Sequence, residues 1–330
     1  MSIDLLFGCC QIETCAHDLD AARTFLTDVL GGAPVEQELA RQIAALIPGD
    51  AYDVDHVGCG RAVFQINRPS PAMAYRGNPS VHQQYLDTSG PCVTNLNYFV
   101  DDIAHAHALL TSLGAPTLIE GPSSAARALA DYGEANTRPG ADERPFLFMG
   151  TRNLIGFDLE IMEPNFLHFA DQTTQFPAFV EPRPGASGGD LELHRLLIAV
   201  PDLQALLDSL RTIFTPASRS KPYALIDGPS GRSFRLALGG MEIEFCEPRG
   251  AAGDLARTLA ERGPGVFTIA FGTADPAPLL ERAAAAGIPA ARQHTDHLGN
   301  PTALHSTLLA SQTAAGFDTL VEPPEVFWCA

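Results

Sequence analysis

The sequence predicts an α+β chain of four βαβββ units taken in two pairs. Three observations predict it. A short apolar strand turns into a helix at an aspartate four times, at Asp18, Asp102, Asp202 and Asp275. An amphipathic segment follows each aspartate. Each unit then ends on a strand bearing Glu or Gln with Pro after it. Internal repetition is read first, because it decides the whole architecture.

Unit one opens on the strand Gln11-Ile12-Glu13-Thr14-Cys15. Asp18 can cap the free amides of the next helix and suits its positive end. Leu19, Ala22, Phe25, Leu26 and Val29 recur at helical spacing, and Gly31 ends the run. Val54 to Gly58 reads as the third strand. Ala62-Val63-Phe64-Gln65-Ile66-Asn67-Arg68-Pro69 closes the unit, with Pro69 stopping the strand. Unit two opens on Thr94-Asn95-Leu96-Asn97-Tyr98-Phe99. Its helix carries Ile103, Ala106, Leu109, Leu110 and Leu113 before Gly114, and Phe157 to Glu163 closes it before Pro164. Unit three runs from Leu196 to Val200, through the Leu203, Leu206, Leu207, Leu210 stripe, to Met241–Glu247 and Pro248. Unit four runs from Phe267 to Phe271, through a helix with Pro276 in its first turn and Gly287 at its end, to Phe317–Glu322 and Pro323. Alternation along each strand sends every second residue to one face.

A length of 330 residues gives ample chain for two domains. Domains are expected at 1–180 (units at 1–88 and 89–166) and 181–330 (units at 191–249 and 262–330). The Pro- and Gly-rich stretch 165–190 is the expected linker, and 119–146 a long loop inside unit two. An apolar fraction of 45% excludes disorder. A net charge of −18 speaks against nucleic acid or an anionic membrane as partner. No apolar run is long enough for a bilayer, and the N-terminus has no signal-peptide layout, so a cytoplasmic location is expected. The seven cysteines show no CxxC spacing and read as reduced thiols, with adjacent Cys9 and Cys10 as packing residues.

The four units resemble the vicinal oxygen chelate superfamily: glyoxalase I, methylmalonyl-CoA epimerase, bleomycin-resistance proteins and extradiol ring-cleaving dioxygenases. The resemblance covers nearly the whole chain. It implies two cupped mixed-sheet domains, each of two units. It also implies a divalent metal in a cup, held from the first and last strands of each unit. The first pair is most similar to methylmalonyl-CoA epimerase, which has His on each first strand, Gln closing one unit and Glu closing the other. Carried over residue by residue, the ligand positions are Gln11, Gln65, Asn95 and Glu160. Gln65 and Glu160 keep the family's types; Gln11 and Asn95 replace both histidines. Amide oxygens are hard, weak ligands, which favours Mg²⁺, Mn²⁺ or Ca²⁺ over Zn²⁺ or Fe²⁺. Three readings follow. A weak metal site persists; or the metal is lost, the amides donate to a substrate oxygen and Glu160 acts as a base; or the polar groups merely satisfy one another.

Glu13 and Asn97 share their strand faces with Gln11 and Asn95, so polar groups converge there, at a cost unless they meet water or ligand. His56 is a further acid-base candidate, with a structural or exposed place as the plainer reading. The expected catalytic set is Glu160, Glu13 and His56, with Gln11, Asn95 and Asn97 binding substrate. In the second pair the corresponding positions are read as Arg195 (or His194), Glu244, Phe267 and Thr319. This half is therefore expected to be structural and to hold no metal of its own. His294, His297 and His305 are read as a fortuitous or partner-facing group. The resemblance implies an isomerase or lyase acting on a small carbonyl or aromatic metabolite through an enolate or oxyanion. An extradiol-type dioxygenase and a non-catalytic binding or resistance protein are the alternatives. A small-molecule substrate is the expected partner, and a homodimer is left open.

Overall fold

The computed structural model describes residues 2–6, 9, 11–34, 52–60, 62–69, 74–75, 78–120, 146–162, 191–220 and 225–324. Unit one supplies β1 (Gln11–Cys15), β2 (Ala33–Pro34), β3 (Tyr52–Cys59) and β4 (Ala62–Pro69), followed by a small ribbon of β5 (Ala74–Tyr75) and β6 (Asn78–Pro79). Unit two supplies β7 (Cys92–Phe99), β8 (Thr117–Glu120), β9 (Phe146–Met149) and β10 (Asp158–Met162). Unit three gives β11 (Glu192–Ala199), β12 (Arg219–Ser220), β13 (Ile226–Gly228), β14 (Gly231–Leu238) and β15 (Met241–Pro248). Unit four gives β16 (Gly265–Gly272), β17 (Ala290–Thr295), β18 (Pro301–Leu309) and β19 (Asp318–Glu322).

These strands form two curled mixed sheets, ordered β2-β3-β4-β1-β7-β10-β9-β8 and β12-β14-β15-β11-β16-β19-β18-β17. Each sheet has the same centre. β1 lies parallel to β4 and β7 parallel to β10, while β1 and β7 are antiparallel. β11, β15, β16 and β19 repeat the arrangement. The expected pairing of units one with two and three with four is therefore what the sheets show. The expected boundary near 180 and most of the 119–146 loop lie outside the described residues.

The helix starts follow the aspartates. Asp18 accepts from the Ala21 amide at 3.0 Å, Asp102 from that of His105 at 2.8 Å, and Asp202 from those of Gln204 and Ala205. In unit four the helix is Ala277–Ala285 with Pro276 as cap, and Asp275 accepts from the Ala277 amide at 3.1 Å. The helix of unit one is α-helical only over Leu19–Thr24, then widens to a π turn over Phe25–Val29. Two further helices, Val81–Ser89 and Asp254–Arg262, follow units one and three.

Alternation sorts the central strands into two faces. Ile12, Phe64, Ile66, Leu96, Tyr98, Leu159 and Ile161 point one way, and Leu196, Ile198, Ile243, Phe245, Ile269 and Phe271 do the same in the second sheet. All belong to a single apolar core that also takes in the helices of both halves. Phe64 stacks on Phe317 across that core, with ring centres 5.6 Å apart. Backbone bonds stitch the halves as well: Leu193 donates to the Gly60 carbonyl at 2.9 Å, and Ile3 donates to the Ile213 carbonyl at 2.7 Å.

Gly156 tests this shared core. It has φ 83°, and a Cβ there would meet Ile198 Cγ2 and Val200 Cγ1 of the other half at 2.8 Å. Gly114 has φ 90° with open space around it. Gly114→Ala is expected to cost only the left-handed backbone penalty, about 1–2 kcal/mol. Gly156→Ala adds overpacking, for a total of about 2–4 kcal/mol. Denaturant unfolding of the two variants checks the difference; equal losses would contradict the packing described.

Candidate functional site

The opposite face of the first sheet is polar. β1 contributes Gln11 and Glu13, β4 Gln65 and Asn67, β7 Asn95 and Asn97, and β10 Asp158 and Glu160. The register places Glu13 beside Gln65 and Asn95, Gln11 beside Asn97, and Asn97 beside Glu160. Asn95 and Asn97 reach this face by alternation, and a bulge at Thr94 interrupts the register just before them. The four ligand positions expected in this pair, Gln11, Gln65, Asn95 and Glu160, thus meet in one cup. So do Glu13, Asn97 and His56.

The side chains form one network. Asn97 Nδ2 donates to Gln11 Oε1 at 2.8 Å, and Asn95 Nδ2 donates to Glu160 Oε2 at 3.1 Å. Gln65 Nε2 donates to Glu13 Oε1, and Gln65 Oε1 lies 2.9 Å from His56 Nε2. His82, on the helix Val81–Ser89, brings Nε2 to 3.8 Å from Glu13 Oε2. Its ring lies beside that of Phe148. Gln11, Glu13, His56, His82, Asn95, Asn97 and Glu160 are all buried.

Charge decides how this network is occupied. Burial raises Glu13 well above the usual carboxylate range, and the neighbouring Glu160 raises it further. Burial raises Glu160 to about 7, against hydrogen bonds from Glu13, Asn95 and Asn97. Glu13 therefore holds the proton and donates it to a Glu160 that ionises near neutrality, since two adjacent buried carboxylates do not both ionise. Burial lowers His56 and His82 to about 4, so both are neutral. The donors at the expected ligand positions and at Glu13 are hard oxygens, two carboxylates and the amide carbonyls, with the neutral imidazoles of His56 and His82 beside them, and the proton between Glu13 and Glu160 stands where a cation would replace it. That set fits a hard divalent ion.

One end of the cup carries residues that sequence reasoning did not single out. Asp158 accepts from the Tyr85 hydroxyl and from the Arg152 amide, the latter at 2.9 Å. The Arg152 guanidinium lies 4.2 Å over the Tyr85 ring and donates to the Val93 and Thr94 carbonyls. Tyr85 and His82 share the helix after unit one, whose position over the cup was the missing signal.

The second cup has the same frame and different chemistry. Here the register corrects the sequence reading by one residue. Thr268 and Leu320, not Phe267 and Thr319, occupy the positions of Asn95 and Glu160, because Thr268 faces Asp318 as Asn95 faces Asp158. Phe267 is the bulged residue, and Thr319 bonds to Ser311 on the other face. Arg195 and Glu244 stand at the positions of Gln11 and Gln65. Arg195 grips Glu322 through both terminal nitrogens, at 2.6 and 2.7 Å, and Glu244 through Nε at 2.9 Å. Glu244 also accepts from Ser233 and Arg235.

His297 corrects the expectation of a fortuitous or partner-facing loop: its Nε2 lies 3.0 Å from Glu244 Oε1. Glu244, Cys246 and His297 bring one ligand atom each within 4.8 Å of one another. Burial works against charge on both partners, but Glu244 holds His297 well above its usual value, while His297, Arg195 and Arg235 hold Glu244 well below. His294 is exposed, and the side chain of His305 lies outside the described residues.

No family model and no curated protein matches the chain. Solved structures do, along nearly its whole length. A triple mutant of 4-hydroxymandelate synthase from Streptomyces coelicolor matches with TM-score 0.58 and 15% identity, over 96% of this chain and 93% of that one. The Mn(II)-bound glyoxalase from Novosphingobium aromaticivorans gives 0.53 and 11%, over 97% and 82%. A halotolerant catechol dioxygenase gives 0.52 and 11%, over 96% and 87%. Likeness at these identities concerns the fold: the chain has the vicinal oxygen chelate fold, in four units.

The carboxyl pair makes stability depend on pH. From pH 4.5, the ordinary carboxyl value, to about 7, the folded chain keeps a proton on Glu160 that the unfolded chain has released. Rising pH then favours unfolding. This contribution is full below 4.5 and is lost by about 7, so wild type should lose stability against Glu160→Gln across that window. Urea midpoints at several pH values measure it. Parallel profiles for the two proteins would remove Glu160 as the titrating group.

Proposed function

We propose that the first cup is the active site of an enzyme that moves a proton next to the carbonyl or phenol oxygen of a small metabolite, in an isomerisation or lyase cleavage. One observation carries this reading: a buried carboxyl pair, Glu13 and Glu160, in which one member ionises near neutrality among amide donors. Glu160, as the carboxylate, takes the substrate proton. Glu13 keeps its own proton and holds Glu160 in place. The N–H groups of Gln11, Asn95 and Asn97 donate to the oxygen on which charge develops, which is how a preorganised site lowers such a barrier. Neutral His56 fixes Gln65, and His82 keeps water from Glu13.

A hard divalent ion (Mg²⁺, Mn²⁺ or Ca²⁺) would be held by Glu13 and Glu160 with the amide oxygens of Gln11 and Gln65. It would supply positive charge opposite an enolate oxygen. The Mn(II)-bound glyoxalase of the same fold supports this option. A second reading, ring cleavage with dioxygen, draws support from the catechol dioxygenase of the same fold. The second cup argues against placing it there, since Arg195 fills the centre between Glu244 and Glu322.

A panel of small carbonyl and phenolic compounds separates the readings. Proton transfer predicts exchange of the α-proton in D₂O, seen by NMR, without oxygen uptake. Oxygen uptake with ring-opened product would establish the second reading. Ligand recovered unchanged, without exchange, would mean a binding protein.

On the compound that exchanges, Glu160→Gln should lower turnover by about 10²-fold or more. In wild type kcat/KM should rise as Glu160 loses its proton and level off above about pH 7. Asn95→Ala should weaken transition-state binding by about 1–2 kcal/mol, the worth of one buried hydrogen bond. Near-normal turnover in Glu160→Gln would transfer the chemistry to another group.

A further inference from the structure

Cys15 and Cys92 end the two central strands of the first sheet, β1 and β7, and face each other in antiparallel register. Their sulfurs lie 3.6 Å apart. Register partners on antiparallel strands have Cα atoms about 4.5–5.5 Å apart, inside the span of about 4.4–6.8 Å that a disulfide bridges. A small approach of the two side chains would therefore close the bond without moving the strands.

The surroundings distinguish the two sulfurs. Cys92 lines a narrow cleft with Ser89, Arg152, Thr258 and Arg262, between the two halves. That cleft shares Ser89, Thr258 and Arg262 with a wider one of about 430 Å³. Cys15 is fully enclosed, packed with Leu86 and Cys92. An oxidant therefore reaches Cys92 first. Two arginines, Arg152 and Arg262, line the same cleft as Cys92, and a thiolate, not a thiol, is the reacting species.

We propose that Cys15 and Cys92 are a reversible dithiol–disulfide site that reacts with small hydroperoxides. Cys92, as thiolate, attacks one peroxide oxygen; the O–O bond breaks, the leaving oxygen takes a proton, and Cys92 becomes a sulfenic acid. Cys15 then attacks the Cys92 sulfur. The S–S bond forms and the sulfenic oxygen leaves as water. Two thiols and one hydroperoxide give one disulfide, one alcohol (water, for hydrogen peroxide) and one water. The sulfurs give up two electrons, and the O–O bond takes them. The hydrogen bond from Cys15, aided by Arg152 and Arg262 against burial, holds Cys92 below its usual value. Burial pushes Cys9 and Cys59 up to about 12 and raises Cys246, which makes them poor competitors for the peroxide. The hydrogen bond to Cys92 raises Cys15 as well, so Cys15 reacts second and its proton leaves with the sulfenic oxygen as water. The site is independent of the reaction proposed for the cup, and its readout is the thiols themselves.

The test is treatment of the reduced protein with equimolar hydrogen peroxide, quenching with an alkylating agent and peptide mapping. A peptide pair joined through Cys15 and Cys92, with Cys9, Cys59 and Cys246 still alkylated and the bond reopened by dithiothreitol, is the expected result. In Cys15→Ala, Cys92 should accumulate as sulfenic acid, trapped by dimedone; in Cys92→Ala, Cys15 should stay alkylatable. Wild-type protein in which both cysteines remain alkylatable, or in which Cys92 bridges to a different cysteine, would overturn the proposal.

Discussion

Two sheets share one core, and everything else in the molecule follows from that. Each central strand alternates, so the apolar face of each sheet must be covered. Neither half has a spare layer for the purpose. Each uses the other, with the helices of all four units filling the space between, and Phe64, Phe271 and Phe317 in contact across the centre. The left-handed glycines just before the closing strands, Gly156 and Gly316, sit where the partner half leaves no room for a Cβ. A fold that turns the apolar faces of its central strands inward leaves the other faces to form two cups.

The cups answer the same physical problem in opposite ways. Each holds two carboxylates in a place where water is scarce, and an uncompensated buried charge is expensive. The second cup compensates with cations of its own: Arg195 between Glu244 and Glu322, with Arg235 and His297 alongside. The first cup compensates with a proton shared between Glu13 and Glu160. A proton can be exchanged for another one, from a substrate, or for a metal ion. The second cup holds its carboxylates with fixed cations and the first with an exchangeable proton, and that contrast is why the proposed reaction is placed in the first cup.

Much of the fold could be read along the chain because its signals are local and repeated. Asp18, Asp102 and Asp202 cap helices because a carboxylate beside free amides does so wherever it stands. The resemblance to the vicinal oxygen chelate superfamily implied Gln11, Gln65, Asn95 and Glu160 as residues of one cup, and period-two alternation added Glu13 and Asn97 to the same strand faces. The carry-over slipped by one residue at Phe267 and Thr319, where no residue of the family's ligand types marks the position. The register of β16 on β19 fixes it, and a register belongs to two strands together.

The sequence by itself determined the four units, their pairing, the sorting of polar and apolar faces, and the chemical types that line the first cup. Tertiary structure decided which of those groups touch. It set Glu13 against Glu160, carried His82 and Tyr85 over the cup on a linker helix, and brought His297 into the second cup from a distant turn. It also laid Cys15 beside Cys92. Proton sharing, ion pairing and thiol exchange act over a few ångströms, and such distances arise only when segments remote in the chain are packed together.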